Sequence, residues 1–261
     1  MTASGGSGTL TYQWQSKTGS GAWADVSGAT AASYTISAVT EEMDGVQYRC
    51  VVKDSKTSVT SSAATLTVKA AAVTPGAGFT DVPEDHWAYE EIMDLVNKGV
   101  TSGKGGGLFD PDGLLTRDEF AAFIAKGMGW EQGVTDAERS AAADHFADWS
   151  SVPDWARNSW AAVYGRGVML GTLNAGSYAA DGARSVSRQE VCVTLARLLS
   201  NAGRVELTFD DAGEIAAWAL PGVENCFAEG LVTGFTDNTF RPENNISRAE
   251  CAVLLSRFLA K

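Results

Sequence analysis

The sequence predicts a multidomain chain: a partial all-β sandwich at the N-terminus, then an all-α, pseudo-threefold bundle of three repeated blocks. Three observations predict it. A Thr/Ser/Val-rich half with alternating apolar residues gives way near Lys69 to a half with helical periodicity. A Phe-x-Asp opening recurs at Phe79-Thr80-Asp81, Phe146-Ala147-Asp148 and Phe209-Asp210-Asp211. The interval from a tryptophan to a glycine is sixteen residues in all three blocks, from Trp87 to Gly103, Trp155 to Gly171 and Trp218 to Gly234. A repeat held in such register decides the fold.

Residues 1–68 form the first domain. Alternation over Thr9–Gln15, Ser33–Ser37, Val46–Lys53 and Ala64–Val68 predicts short strands between Gly/Ser turns, hence a small antiparallel sandwich. Tyr48 stands two residues before Cys50, and Trp14 is the candidate core tryptophan, so this part resembles an immunoglobulin-like domain. A full domain runs to about 100 residues, and the missing first edge of the sandwich is expected upstream of Met1. Residues 69–78, small residues broken by Pro75, read as a linker.

The blocks follow at 79–130, 145–201 and 207–261, with a polar, alanine-rich insert at 131–144 expected to add a helical turn or two. Each block carries a tryptophan, an amphipathic helix and a glycine. Gly103, Gly171 and Gly234 are expected to cap that first helix in the left-handed conformation, with close approach of a ligand as the second reading. Each block then closes on Thr116-Arg117-Asp118-Glu119, Ser187-Arg188-Gln189-Glu190 or Ser247-Arg248-Ala249-Glu250. These are capping boxes, in which hydroxyl and carboxylate satisfy free N–H groups at a helix start. Apolar residues then recur at helical spacing, for example Phe120, Ile124 and Met128, predicting one buried face per helix and the three helices at the bundle centre.

Arg117, Arg188 and Arg248 all fall on the first helical position, where the macrodipole disfavours a cation by about 0.3 to 1 kcal/mol. Local stability would not select them. Each arginine either pairs with an acid, the Phe-x-Asp aspartate being a candidate, or offers its planar fork beside a helix N-terminus to a carboxylate or phosphate. Trp87, Trp155 and Trp218 are either packing anchors or platforms for a sugar ring.

Composition narrows the function. With 20 basic against 32 acidic residues the net charge is -12, which argues against a basic face for nucleic acid or anionic membrane. No run of about 18 apolar residues predicts membrane insertion, and the first eight residues lack the order of a secretory signal. The four cysteines show no metal-ligand spacing and read as buried small hydrophobes, so neither metal nor cofactor is implied. His86 and His145 belong to no catalytic constellation, which argues against an enzyme. With Gly113 as the sixth loop position the first ligand of an EF-hand would be Leu108, so calcium binding is not predicted.

Together, the stretch Phe79 to Ala88, the stretch Gly234-Phe235-Thr236-Asp237-Asn238-Thr239-Phe240-Arg241-Pro242 and the run Ile246-Ser247-Arg248-Ala249-Glu250 resemble the S-layer homology family in three tandem copies. The resemblance implies a non-enzymatic, extracellular module of the bacterial cell wall or S-layer. It would bind a secondary cell-wall polymer (a pyruvylated glycan) or another peptidoglycan-linked polysaccharide in grooves between repeats. Arg117, Arg188 and Arg248 would be carboxylate ligands, and the three tryptophans and glycines would shape the grooves. The alternative is a structural module for S-layer or protein–protein assembly. The first block departs from the family with Lys104-Gly105-Gly106-Gly107, and the second with Tyr178-Ala179-Ala180 where the family has Phe-x-Pro.

Overall fold

The computed structural model describes residues 7–19, 21–36, 39, 43–68, 78–199, 203 and 205–261, and among them the chain forms two compact units. Strands build the first and helices dominate the second.

In the N-terminal unit, β1 (Thr11–Lys17) pairs antiparallel with β3 (Gln47–Lys53), setting Trp14 opposite Cys50. The short β2 (Ala24–Asp25) flanks β1, while β4 (Ser58–Thr60) and β5 (Ala64–Thr65) both pair with β3. The described strands thus make one sheet, not the two layers of a sandwich. Residues 33–36 are not a strand, and Ser37 lies outside the described residues. Tyr34 instead places its ring 6.1 Å from Trp14 and 6.0 Å from Tyr48, covering one face of the β1–β3 pair. The expected linker, apart from Gly78, lies outside the described residues.

The C-terminal unit contains α1 (Tyr89–Asn97), α2 (Arg117–Gly127), α3 (Asp136–His145), α4 (Asp154–Gly165, from Ala156 on), α5 (Arg188–Ala196), α6 (Leu220–Ala228) and α7 (Arg248–Leu259). A hairpin of β6 (Thr172–Asn174) and β7 (Ser177–Ala179) makes it not purely helical. The insert gives a fuller helix than expected, because Thr135 and Glu138 form a capping box of their own. No described helix is long and apolar enough to cross a membrane.

The capped helices α2, α5 and α7 begin as the capping boxes predict. Burial exceeds one face, however. In α2 every residue from Phe120 to Ala125 is buried, and in α7 every residue from Arg248 to Ser256 except Glu250. Alanines among them let neighbouring backbones approach, and the fully buried Phe109, Phe120 and Phe240 each contribute about 1.5 to 3 kcal/mol of transfer free energy. All four cysteines are buried free thiols, and the Cys226 thiol donates to the Cys192 carbonyl at 3.4 Å.

The backbone joins the blocks in rotation. Val186 donates to the Leu115 carbonyl, Ile246 to Val186 and Leu115 to Ile246, each at 3.0 Å. Likewise Arg117 N–H reaches the Arg184 carbonyl, Arg188 the Asn244 carbonyl and Arg248 the Gly113 carbonyl, at 2.9, 3.0 and 2.9 Å. The starts of α2, α5 and α7 therefore find acceptors in another block.

Candidate functional site

The three helix starts carry the arginines, and each guanidinium meets the same partners. Nε donates to a backbone carbonyl of another block: Arg117 to Ala180 at 2.9 Å, Arg188 to Phe240 at 2.8 Å and Arg248 to Phe109 at 2.7 Å. Nη1 donates to that block's capping-box carboxylate: Arg117 to Glu190 at 3.2 Å, Arg188 to Glu250 at 3.3 Å and Arg248 to Glu119 at 2.8 Å. These partners offset the unfavourable end of the helix dipole. The side chains are buried, and burial pushes the Arg117 and Arg188 guanidinium groups down from the usual arginine range. Nη2 of all three makes no hydrogen bond to the described residues, leaving one donor nitrogen of the fork for an outside acceptor.

The Phe-x-Asp aspartates are not the hydrogen-bond partners of these arginines. Asp81 accepts the N–H groups of Phe109 and Asp110, Asp148 those of Ala180 and Asp181, and Asp211 those of Phe240 and Arg241, at 2.7 to 2.9 Å. The second residue of each pair has positive φ, at 61° for Asp110, 55° for Asp181 and 58° for Arg241. The carboxylate clamp holds a backbone conformation that non-glycine residues avoid, and the carbonyl between the two clamped amides is the one that receives Nε. Aspartate and arginine therefore act on one peptide unit from opposite polarities.

This geometry also shows that Ala180, not Tyr178, stands where Phe109 and Phe240 stand. The space left by the small residue is filled by Trp160, whose ring lies 5.3 Å from Phe146 and under Arg117, and whose Nε1 donates to Asp118 at 2.6 Å. Burial raises the Asp118 carboxyl above the usual range against the opposing effect of that bond. Tyr178 instead stacks on His145, 4.7 Å between centroids.

The glycines correct a second expectation. Gly99, Gly167 and Gly230, four residues earlier, follow the first helices with φ near 70°. Gly103, Gly171 and Gly234 have φ of 83°, 84° and 75° and lie beneath the rings of Phe79, Phe146 and Phe209. A Cβ there would meet those rings at 2.5 to 2.7 Å. They are required for packing the turn onto the phenylalanine.

One groove gathers several of the expected residues. A cavity of about 320 Å³ is lined by Trp87 of the first block, Arg188 of the second, and Gly234, Phe235, Glu250 and Arg257 of the third, among others. Trp87 is 61% exposed and Trp218 59%, so neither is a packing anchor, whereas Trp155 is half-buried. The Arg188 guanidinium lies 4.5 Å from the Phe235 ring centroid, and Arg241 packs on the same ring at 4.0 Å. Trp155, Trp218, Arg117, Arg248, Gly103 and Gly171 lie outside this groove. The spacing marked Glu250 only as a capping residue and did not single out Val253, Leu254 and Arg257, yet the i, i+3, i+4, i+7 pattern of the four is one face of α7 and was open to reading.

The N-terminal residues 1–70 match a domain of unknown function, DUF8696. A cellulosome-anchoring protein of Acetivibrio thermocellus is 29% identical over 164 residues, covering 61% of this chain and 35% of that protein. An S-layer protein of Bacillus thuringiensis subsp. finitimus is 30% identical over 187 residues, covering 71% and 21%, and an endoglucanase of Bacillus sp. (strain KSM-635) is 25% identical over 189 residues, covering 70% and 19%. The chain thus spans about a third or less of the length of these relatives. The S-layer homology domain family matches residues 78–121 and 208–252, so the first and third blocks carry S-layer homology sequence.

Proposed function

We propose that the C-terminal unit holds a bacterial surface protein non-covalently on the cell wall, by binding a secondary cell-wall polysaccharide in grooves between three blocks that form a pseudo-threefold bundle. It binds and does not catalyse. The ligand is a glycan carrying a carboxylate, in the first instance a pyruvylated one.

The observation that carries this reading is one groove lined by exposed Trp87, buried Arg188 and the Gly234–Phe235 turn. An indole at a groove edge offers an apolar platform for a sugar ring, and a fork nitrogen without a protein acceptor offers a charge-assisted bond to an acid. The repeated arginine geometry extends the same chemistry to Arg117 with Gly171 and Trp218, and to Arg248 with Gly103. The similarity to a cellulosome-anchoring protein agrees with anchoring. The S-layer relative supports a second reading, assembly between protein copies, which would give lattices without glycan.

The experiment is pelleting of purified wild-type, W87A and R188A chains with Gram-positive sacculi. The reading expects each substitution to weaken pelleting at least tenfold with the melting temperature of W87A unchanged. Wild-type pelleting from both variants would remove the groove from the account.

A further inference from the structure

The net charge of the chain hides a local exception. Residues 1–70 hold five basic and five acidic side chains, so the whole acidic excess lies beyond them. Within the N-terminal sheet the register sorts side chains by face, since directly opposed residues share one. Trp14 opposite Cys50 and Ser16 opposite Tyr48 fall on the face that Tyr34 covers. Gln15 opposite Arg49 and Thr11 opposite Lys53 fall on the other, together with Lys17. Three cations therefore share one face, and none of them forms an ion pair with the described residues. Arg49 is firmly placed: its guanidinium lies 4.2 Å from the Trp23 ring centroid, and its Nε donates to Gln15 Oε1 at 2.8 Å. Gln15 Nε2 donates in turn to Asp25 Oδ1 at 2.8 Å. Lys17 Nζ lies 5.3 Å from the same indole, so one ring holds two like charges. These repel each other, and an anion set between them removes the repulsion. Nη1 and Nη2 of Arg49 make no hydrogen bond to the described residues and are left to receive it.

We propose that this face of the N-terminal sheet binds a phosphodiester-linked polymer, a polyol-phosphate chain of the cell wall. The Arg49 fork and the Lys17 ammonium take the two non-bridging oxygens of one phosphodiester. A planar carboxylate is matched by the fork alone, whereas a tetrahedral phosphate can use a fork and a point charge that lie in different planes. Lys53 is exposed four positions along β3 from Arg49, about 13 Å away at the rise of a strand, and meets a later phosphate of the same chain. Arg49, Lys17 and Trp23 are half-buried, which suits a polymer laid across the sheet. The site belongs to a different unit from the Arg188 groove. Only the choice of the wall as the source of the polymer rests on the anchoring reading.

Isothermal titration of the intact chain with poly(glycerol phosphate) tests this, beside polyglucuronate, double-stranded DNA and phosphatidylglycerol vesicles at equal charge concentration. The expected result is tighter binding of poly(glycerol phosphate) than of the other three. R49A and K17A should each weaken it at least tenfold and K53A at least threefold, while K56A, an exposed lysine of the β3–β4 connection, leaves it unchanged. A melting curve for each variant guards against a folding artefact, and K53A removes an exposed side chain from the strand end. No wild-type binding, equal binding by all four variants, or tighter binding of any of the other three polyanions overturns the inference. Any of these leaves anchoring intact while the chain still pellets with sacculi that carry pyruvylated polymer. Loss of that pelleting with binding of poly(glycerol phosphate) retained would overturn the anchoring reading and support the anion site alone.

Discussion

Arg248 donates its Nε to the carbonyl of Phe109, 139 positions earlier in the chain, at 2.7 Å, and so ties the last helix of the unit to the first block. The same guanidinium holds Glu119 at 2.8 Å, and the residue is 2% exposed. A residue on the disfavoured end of a helix dipole is kept because its partners are in another block. Its removal leaves a buried carbonyl and a partly buried carboxylate without their donor.

R248A is accordingly expected to cost about 3 kcal/mol, in the range for breaking a buried pair. R248K should recover less than half of this, since an ammonium does not present the fork that serves Phe109 and Glu119 together. Urea unfolding of the C-terminal unit measures both. Equal stability of R248K and the wild type would mean that charge alone, not the fork, is used.

A comparison of glycines separates turn geometry from packing. Gly99 and Gly103 both have positive φ, at 72° and 83°, but a Cβ on Gly99 meets nothing within 4 Å, whereas one on Gly103 meets Phe79 at 2.5 Å and the Leu108 carbonyl. G99A should cost about 1 kcal/mol, the penalty for an L-residue in the left-handed region. G103A should cost at least about 2 kcal/mol more, as overpacking costs do. Thermal melting of the two variants distinguishes them, and equal losses would show that the phenylalanine yields.

This contrast also marks what could be read from the sequence. The constant sixteen-residue interval identified Gly103, Gly171 and Gly234 as special, but spacing carries no information on whether a glycine ends a helix or lies under a ring. The capping boxes were legible because Thr116 and Glu119, Ser187 and Glu190, and Ser247 and Glu250 act within one turn. The second role of each glutamate, receiving an arginine from another block, is a contact of 62 to 129 positions in the chain and leaves no local trace. The role of Trp160 was hidden for the same reason: it replaces in space a phenylalanine that the other blocks supply from a different segment. In the N-terminal unit, alternation located β1 and β3 but gave Ser33–Ser37 as a strand, where among the described residues 33–36 Tyr34 covers the sheet instead of extending it.

The pH dependence of stability should report Glu190. Burial would raise its carboxyl, but the bonds from Arg184 and Ser187 outweigh burial and hold it below the usual glutamate range. A depressed folded value contributes stability that is fully present above the unfolded value, near about 4.3, and is lost as pH falls through the folded value. The wild type should therefore lose more stability than E190Q between pH 5 and pH 3, measured by urea midpoints, with the two curves converging at the acid end. Parallel curves would mean that these bonds to Glu190 do not favour its ionised form.

Asp118 gives the opposite sign. Burial raises its folded value, so its ionised form is a source of instability as pH rises through that value. D118N keeps an acceptor for Trp160 and should equal or exceed the wild type at pH 7. D118A leaves the buried indole N–H without its 2.6 Å partner and should lose about 1 to 3 kcal/mol. Greater loss in D118N than in D118A, by calorimetry, would contradict this.

The measurement closest to the central claim is co-sedimentation of the purified chain with Gram-positive sacculi that carry pyruvylated polymer, beside the same sacculi chemically stripped of it. The account predicts pelleting with the intact walls and a supernatant fraction unchanged from the no-wall control with the stripped ones. Equal pelleting with both, or pelleting with neither, would contradict binding of the wall polysaccharide.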